Sequence, residues 1–292
     1  MTIKTLNIIG CGRAARTLAR LWSDTGCVRV QQVLTRSEES AGAACAFIRA
    51  GQPVALLEAM QPAQLWLLGV PDGEIVPAAT MLAESALPRD GDGVFHLSGF
   101  TASTALAGLQ ARGMRVASAH PVLSFADPAV AMTQFVGARV GLEGDTALCE
   151  TLRGLFESVG GACFGIDADR KPLYHAGSVF ASNFLVVLMD VALRAYREAG
   201  LDDDSARALL APLARNALEN VIANGPEASL TGPAARGDHA VVRAQHAAVK
   251  DWDGAAGEAY GVLTTLAFSL ARRASGPEDE NDVTVTTPPA DE

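Results

Sequence analysis

The sequence lacks an excess of basic residues. Its formal net charge is −10 over 292 residues, and six of the acids lie in residues 275–292, which hold no base, so the rest of the chain carries −4. A chain without a basic stripe has no electrostatic footprint for a phosphate backbone. We therefore predict that nucleic acid is not a partner.

Paired cysteines are also lacking. The chain has five cysteines, which are scattered and never spaced as CxxC: Cys11, Cys27, Cys45, Cys149 and Cys163. An odd, scattered set favours reduced thiols in a reducing compartment over a disulfide framework. Met1 to Ile9 leads into a glycine turn without a long apolar region, so we expect no signal peptide and a cytoplasmic protein.

Long apolar runs are scarce. The longest, Val179 to Leu193, is interrupted by Ser182, Asn183 and Asp190. It falls short of the roughly 20 residues that a membrane-spanning helix needs. We predict a buried helix here and no membrane partner.

The composition present is 49% hydrophobic, 19% charged and 5% aromatic, which is typical of an α/β protein rather than a disordered chain. From residue 3 to about 168, β-branched runs alternate with amphipathic segments, the pattern of a parallel sheet covered by helices. The predicted strands are Thr5–Ile9, Val28–Leu34, Leu65–Val70, Gly93–Leu97, Arg115–Ala119, Gly137–Leu142 and Ala162–Gly165. The predicted helices are Ala14–Ser23, Glu38–Arg49, Gly73–Glu84, Ala102–Arg112 and Thr146–Val159.

After residue 169 the alternation stops and every later run has helical spacing. We predict an N-terminal Rossmann dinucleotide-binding domain over residues 1–169, an all-α domain over residues 170–274 and a disordered acidic tail over residues 275–292. The first helix of the second domain, Ala176 to Ala199, is apolar on most faces, so its own domain or another subunit must cover it.

A G-x-G-x-x-A turn follows the first predicted strand and precedes the first predicted helix. Its first glycine allows a tight turn, its second lets a pyrophosphate approach the backbone, and the helix N-terminus offers free N–H groups. The alternative is a tight turn without a ligand. The predicted contacts with the nucleotide are Gly10, Cys11, Gly12, Arg13 and Ala14.

The end of the second strand lacks the acid that binds the ribose 2′-hydroxyl in NAD-preferring domains. Arg36 stands there between Thr35 and Ser37, and its guanidinium suits a 2′-phosphate. We predict NADP as the cofactor, the alternative being a solvated surface arginine. Val70 and Pro71 are expected to flank the dinucleotide, while Asp72 fits equally a cofactor contact or a helix cap.

Candidate substrate residues occur at two further strand ends. Ser98 fits either a contact with the substrate or nicotinamide, or a hydroxyl that caps the next helix. His120 precedes Pro121, which is expected to end the strand. His120 is then a proton carrier at the cleft or a structural histidine bonded to the backbone.

The long predicted helix adds a polar line to the candidate site. The spacing of His175, Ser182 and Asn183 puts them on one face of the helix. Burying polar side chains on so apolar a helix costs free energy unless they have hydrogen-bond partners. Asn183 either contacts the substrate or forms a hydrogen bond between packed helices. Arg236 lies in a loop that contains several glycines, and it either binds an anionic group of the substrate or is a solvated side chain. No histidine or cysteine spacing indicates a metal site.

Several motifs together resemble a bacterial family of Rossmann-like oxidoreductases with a C-terminal DUF2520 domain. These motifs are Gly10-Cys11-Gly12, Gly69-Val70-Pro71-Asp72, Leu97-Ser98-Gly99, His120 to Phe125, Ser182 to Leu185, Leu230 to Pro233 and Arg236-Gly237-Asp238. The family is similar to the 6-phosphogluconate dehydrogenase-like superfamily, which includes pyrroline-5-carboxylate reductase, ketopantoate reductase and prephenate dehydrogenase. The resemblance implies an NADP domain, a helical C-terminal domain and dimers formed by those helices.

The chain departs from two lysine patterns of that superfamily. β-Hydroxyacid dehydrogenases carry a lysine four residues before an asparagine, but Val179 stands four residues before Asn183. His120-Pro121 is similar to the His-Pro of prephenate dehydrogenases, and Ser98 lies where those enzymes keep a serine, although the lysine that follows it is missing here.

The leading hypothesis is an NADP(H)-dependent oxidoreductase acting on a small carbonyl, imine or hydroxy acid. His120 would manage one proton, with His175 and Asn183 as orienting groups and Ser98 as a hydroxyl contact. The alternatives are a prephenate dehydrogenase-like enzyme and a dinucleotide-binding protein without turnover, such as a sensor. We also predict a homodimer through the C-terminal helices.

Overall fold

The computed structural model describes residues 3–274, and these residues form two compact units. The first unit extends to Ala181 and the second begins at Ser182. The tail predicted to be disordered, residues 275–292, lies outside the described residues. Each unit is described separately below.

The first unit is built on one eight-stranded sheet. In chain order its strands are β1 Lys4–Ile9, β2 Val28–Leu34, β3 Gln52–Val54, β4 Leu65–Leu68, β5 Gly93–His96, β6 Arg115–Val122, β7 Arg139–Gly144 and β8 Ala162–Gly165. The spatial order is β3-β2-β1-β4-β5-β6-β7-β8. The order reverses between β1 and β4, which is the switch point where ligands bind in sheets of this kind.

Helices cover this sheet. They are α1 Arg13–Asp24, α2 Glu38–Ile48, α3 Ile75–Glu84, α4 Ala107–Gln110, α5 Pro128–Gln134, α6 Thr146–Glu157 and α7 Lys171–Ala181. Side chains that are good N-caps start several of them: Ser37 caps α2, Asp127 caps α5 and Asp145 caps α6.

The core of the first unit lies on both faces of the sheet. The whole of β4 is buried, as expected for a central parallel strand that is apolar throughout. Trp22 of α1 packs edge-on against Phe95 of β5 and Phe156 of α6, with ring centroids 6.3 and 5.2 Å apart. These contacts fix α1, and with it the glycine turn that precedes α1, against the sheet.

The predicted α/β class is confirmed, but the prediction of a wholly parallel sheet is wrong at one pair. β6 and β7 run antiparallel, since residues 117–122 pair in reverse with residues 139–144. The expected end of β6 at His120 is also wrong, because the strand continues to Val122. Pairing with β5 stops opposite Ser118, so Pro121 lies where β6 needs no donor toward that neighbour.

Two short elements are absent from the sequence-based prediction. β3 has three residues and α5 has seven, which is too short for a periodic pattern to emerge. The helix predicted over Ala102–Arg112 forms instead as a 3₁₀ turn, Ser103–Leu106, followed by the one-turn α4.

The second unit is helical. Its helices are α8 Asn183–Glu198, α9 Asp203–Asn224, α10 Pro226–Ser229, α11 His239–Trp252 and α12 Gly254–Ala274. The Asp202 carboxylate caps α9 by accepting from the Ser205 N–H at 2.7 Å. Gly225 ends α9 with a φ of 79°, a conformation that glycine adopts without strain.

The prediction of one continuous helix over Ala176–Ala199 is wrong. The helix breaks at Ser182, where φ is −129° and ψ is −70°. The apolar side chains beyond the break are exposed in the single chain, so their cover by another subunit stays a prediction. Val186 is 70% exposed and Val187 is 56% exposed. Among the described residues, the helical stretch Ala168–Glu198 is long and apolar enough to cross a membrane by length and composition alone, a test that helices of other kinds also pass.

Candidate functional site

The glycine turn after β1 forms a close backbone contact with the end of β4. Gly10 has a φ of 74°, and a β-carbon there would overlap Val70 and approach the Gly69 backbone to 3.0 Å. A β-carbon on Gly69 would lie 2.5 Å from the Gly10 carbonyl oxygen and 2.6 Å from the Ala15 β-carbon. The small residues of the motif therefore let β1, β4 and α1 meet at the switch point.

The N-terminus of α1 is open to a ligand. Gly12 is its N-cap and gives no side-chain hydrogen bond to the first turn, so these backbone N–H groups are available to an anion. A β-carbon on Gly12 would lie at ordinary contact distance, 3.6 Å, from the Gly69 carbonyl oxygen. Packing inside the protein therefore does not require glycine here, whereas close approach of a pyrophosphate does.

Cys11, in the turn, has a structural role through its carbonyl oxygen and its thiol. Arg16 donates to the Cys11 carbonyl oxygen at 3.0 Å, which ties the turn to α1. Burial raises the pKa of the Cys11 thiol to about 12, so this cysteine is an inert apolar group. All five cysteines are free, as predicted. Arg13 begins α1 and is exposed.

The residues after β2 place Arg36 at the surface. The Arg36 side chain is exposed, and Ser37 caps α2 by accepting from the Ser40 N–H at 3.2 Å. The Thr35 hydroxyl donates to the Ser37 carbonyl oxygen at 2.8 Å and contacts the Ser40 hydroxyl. Thr35 and Ser37 thus shape the loop that presents Arg36 at the same sheet edge as the glycine turn.

The segment after β4 contributes Val70, Pro71 and Asp72. Val70 packs against Gly10, and Pro71 is the N-cap of a 3₁₀ turn over Asp72–Glu74. Neither this turn nor α3 after it has a side-chain cap, so the structure does not support a capping role for Asp72. Burial lowers the pKa of the His120 imidazole, and the Asp72 carboxylate opposes part of that shift.

Ser98 and His96 have structural hydrogen bonds at the end of β5. The Ser98 hydroxyl accepts from the N–H groups of Phe100 and Thr101 at 3.1 and 2.8 Å. These bonds match the second of the two predicted roles of Ser98, a hydroxyl that caps the residues after the strand. His96 is fully buried, with Nδ1 accepting from the Ser98 N–H at 3.2 Å and Nε2 lying 3.4 Å from the Ala102 carbonyl oxygen. Burial and the charge of Lys171 lower the His96 pKa to about 3.

His120, Tyr174, His175 and Gly99 lie together beyond the end of β5, and we call them the His120 cluster. The Tyr174 hydroxyl lies 2.9 Å from His120 Nδ1, and the His120 and His175 rings meet edge to face at 5.6 Å. A β-carbon on Gly99 would lie 2.7 Å from His120 Nε2 and 2.5 Å from His175 Nδ1. Both ring nitrogens therefore converge on one point above Gly99.

The protonation of the cluster follows from its surroundings. Burial, His175 and Lys171 lower the His120 pKa to about 4, against a smaller opposing effect of Asp72. Burial also raises the pKa of the Tyr174 phenol. At neutral pH the cluster therefore consists of a neutral imidazole and a protonated phenol. His175 Nδ1 is buried and has no hydrogen-bond partner among the described residues.

A buried ion pair lies beside the cluster. Lys171 and Glu143 have side-chain exposures of 0% and 3%, and Lys171 Nζ lies 3.1 Å from Glu143 Oε1. Lys171 also donates to the Thr101 carbonyl oxygen and the Ser118 hydroxyl. Glu143 accepts from the Ser103 N–H at 2.8 Å and from the Ser103 hydroxyl at 2.6 Å. Burial lowers the Lys171 pKa, and Glu143 opposes that shift.

The ion pair supports the floor of the cluster. The Ser118 hydroxyl donates to the Ser98 carbonyl oxygen at 3.2 Å, so Lys171 holds the loop that contains Gly99 through two carbonyl groups. Lys171 is also one helical turn before Tyr174 and His175 on α7. Anchoring this turn places both side chains against His120.

Sequence reasoning missed Lys171, Glu143 and Tyr174. The alternation of strands and helices ends near Lys171, and the two lysines of the superfamily patterns are missing after Ser98 and before Asn183. Two signals were present. Glu143 occupies a strand position among apolar residues, and Lys171 shares helical spacing with Tyr174 and His175.

Two predicted site residues belong to the second unit. The Asn183 amide oxygen accepts from the Ser182 hydroxyl at 3.0 Å, and Asn183 is exposed. Arg236 pairs with Asp238 at 3.2 Å with its side chain 64% exposed. Their roles in substrate binding stay predictions, and the helix break at Ser182 interrupts the single polar line predicted from His175 to Asn183.

Two domain families match the sequence. A Rossmann-like domain matches residues 3–121, and a domain of unknown function, DUF2520, matches residues 138–267. No functionally curated protein matches the sequence.

Solved structures resemble the chain over nearly its full length. A protein of Thermotoga maritima is 27% identical with a TM-score of 0.72, over 92% of this chain and 99% of that one. A candidate NADP oxidoreductase of Bacteroides fragilis is 21% identical with a TM-score of 0.72, over 91% and 98%. A reductive aminase of Aspergillus terreus, in complex with NADPH and ethyl levulinate, is 19% identical with a TM-score of 0.59, over 94% of each chain.

Proposed function

The chain belongs to the proteins that join a Rossmann-like domain to a DUF2520 domain, and we propose that it is an NADP(H)-dependent oxidoreductase acting on a small carbonyl, imine or hydroxy acid. One observation carries the proposal. The open N-terminus of α1 and the His120 cluster lie at the same edge of one sheet, the edge formed by the carboxyl ends of the parallel strands.

The residues at the switch point fit a dinucleotide. The Gly10–Gly69 contact and the uncapped first turn of α1 are what a bound pyrophosphate requires. Arg36 extends from the loop after β2, where a 2′-phosphate would lie, and no acid stands there to bind a 2′-hydroxyl. Two proteins with a similar fold support the same cofactor, because one is described as an NADP oxidoreductase and the other is in complex with NADPH.

The chemistry divides between cofactor and protein. A nicotinamide cofactor, when bound, supplies or accepts the hydride. The protein must orient the substrate carbon and hold a proton or a hydrogen-bond donor near the substrate heteroatom. His120 is the first candidate for that donor, because its Nδ1 already has a partner in Tyr174 and its Nε2, which lies against Gly99, has no hydrogen-bond partner among the described residues.

A turnover assay tests the proposal. Purified protein is incubated with NADPH and a panel of keto acids and cyclic imines, and the NADPH absorbance is followed. We expect one or more substrates to be reduced and His120→Asn to reduce turnover by about 10²- to 10⁴-fold while keeping NADPH affinity. His246→Asn is the matched control, because His246 stacks on Tyr260 in the second unit. NADPH binding without turnover of any panel member would instead indicate a sensor.

We propose a homodimer through the helices of the second unit, a cytoplasmic location and a small-molecule substrate as partner. The exposed apolar residues of α8 support the homodimer.

A further inference from the structure

Among the described residues, Tyr174 makes the hydrogen bond to the His120 ring. Its hydroxyl lies 2.9 Å from Nδ1, and the two rings meet nearly at right angles, at 87°. Phe164 also packs against the Tyr174 ring, with the two ring centroids 6.1 Å apart. The phenol is therefore held in place as well as bonded.

The strand beside His120 also accommodates this phenol. Gly141 is the cross-strand partner of His120, and a β-carbon on Gly141 would approach the Tyr174 hydroxyl oxygen to 3.3 Å. That β-carbon would overlap the Ile166 side chain. Glycine at this position leaves the space that the Tyr174 hydroxyl needs to reach Nδ1.

The hydrogen bond between Tyr174 and His120 can have either group as its donor, and the two arrangements differ in whether Nε2 carries a proton. If the phenol donates its hydrogen to Nδ1, the proton of the neutral ring is on Nε2. If Nδ1–H donates to the phenol oxygen, Nε2 is bare and the phenol hydrogen needs another acceptor. Among the described residues, Nδ1 is the acceptor that the Tyr174 hydroxyl reaches. The first arrangement uses both groups fully.

We propose that Tyr174 is a positioning residue that fixes the His120 proton on Nε2, so that His120 presents an N–H donor above Gly99 to the oxygen of a carbonyl or hydroxy substrate. The proposal rests on the proposed function and deepens it, because it names the protein atom that would contact the substrate oxygen.

The charges around His120 suit a neutral donor. The titratable groups that face it are Tyr174, His175 and Lys171 from α7, Asp72 from the turn after β4, and Glu143 from β7, which is paired with Lys171. Burial, His175 and Lys171 lower the His120 pKa to about 4, and the exposed Asp72 carboxylate opposes this only in part. A neutral imidazole that donates from Nε2 polarises a carbonyl without first taking a proton from water.

Nitrogen NMR of the protein labelled with ¹⁵N-histidine, without cofactor, reads the tautomer directly. His120→Asn assigns the signal. We expect His120 to carry its proton on Nε2 and to have a hydrogen-bonded, bare Nδ1 at neutral pH. In Tyr174→Phe the Nδ1 resonance should shift toward that of an unbonded nitrogen. The tautomer ratio should then change on the order of fivefold, the effect of losing one ordinary hydrogen bond.

Tyr260→Phe is the matched control, because it also removes a phenol that stacks on a histidine, His246, at 5.9 Å. It should leave the His120 signals unchanged. A proton on Nδ1 in the wild-type protein, or an unchanged Nδ1 resonance in Tyr174→Phe, would overturn the proposal. Calorimetric titration with NADPH reports on the proposed function independently of this result.

A second measurement applies if Tyr174→Phe does not fold. Fluorotyrosine in place of tyrosine makes the phenol a stronger donor and a weaker acceptor while keeping its shape. The Nδ1 resonance of His120 should then move in the direction of a stronger hydrogen bond. Movement toward an unbonded nitrogen would show that Tyr174 accepts, and would contradict the assignment.

Discussion

Lys171 lies 3.1 Å from Glu143, and both side chains are removed from solvent. The pair joins the first turn of α7 to β7, and through Thr101 and Ser118 it also holds the loop after β5. A buried charge is costly unless it is paired and its remaining hydrogen bonds are satisfied. Here Ser103 satisfies the second carboxylate oxygen, so the network is closed.

We expect Lys171→Met to destabilise the first unit strongly, because it leaves the Glu143 carboxylate buried without a counter-charge. Breaking such a pair costs about 3 to 5 kcal/mol. The double variant Lys171→Met/Glu143→Gln should recover part of the loss, and Arg170→Met, at an exposed pair 3.6 Å from Asp167, should cost less than about 1 kcal/mol. Denaturant unfolding measures all three. A loss in Lys171→Met no larger than in Arg170→Met would contradict the account of the network.

We expect stability to fall in acid partly through His96. Its pKa is about 3 when folded, below the unfolded value near 6.5, so the unfolded state binds more protons between these limits. The stability is therefore complete above pH 6.5 and decreases as the pH falls, by about 2 kcal/mol from pH 7.5 to pH 5. Urea unfolding followed by the fluorescence of the buried Trp22 and Trp66 measures it. His96→Asn should show a smaller pH dependence, and an equal one would refute this origin.

The sequence was sufficient to predict the sheet that carries the cofactor site. Val28–Leu34 and Ala162–Gly165 form with the predicted bounds, since short runs bounded by turn signals favour strands. The Gly10 turn was equally readable, because its meaning depends on adjacent residues only. These strands and this turn could be predicted because each depends on the sequence pattern of a short segment.

Features that depend on contacts between distant residues were not readable. The pairing of Lys171 with Glu143 spans 28 positions, and that of Tyr174 with His120 spans 54. The antiparallel turn of β7 against β6 likewise depends on the path of the chain between them, through α5. Only the fold brings these residues together, which is why the candidate histidines were found without the groups that position them.

Arg36→Asp should weaken NADPH binding by about ten- to a hundredfold while affecting NADH much less, because it replaces a phosphate partner with a repelling charge. Isothermal calorimetry with both cofactors measures the difference. Arg29→Asp is the control, since Arg29 is exposed at the other end of β2, the strand that Arg36 follows. Equal losses for NADPH and NADH would show that Arg36 does not recognise the 2′-phosphate.

We expect a homodimer whose interface includes α8. The side chains of Val186 and Ile222 are 70% and 76% exposed within the chain, and an obligate interface of this type buries on the order of 2,000 Å² or more. Val186→Glu should shift sedimentation toward the monomer. Leu56→Glu, at an equally exposed position of the first unit, should not. A wild-type monomer at micromolar concentration would contradict the prediction.

Transfer of deuterium from C4-deuterated NADPH tests the proposed oxidoreductase activity most directly. The labelled cofactor is incubated with the protein and the panel of keto acids and cyclic imines, and products are weighed by mass spectrometry. The account predicts that a reduced product gains one deuterium with the wild-type protein, and that His120→Asn transfers it about 10² to 10⁴ times more slowly. Tight NADPH binding with no label in any product would contradict it.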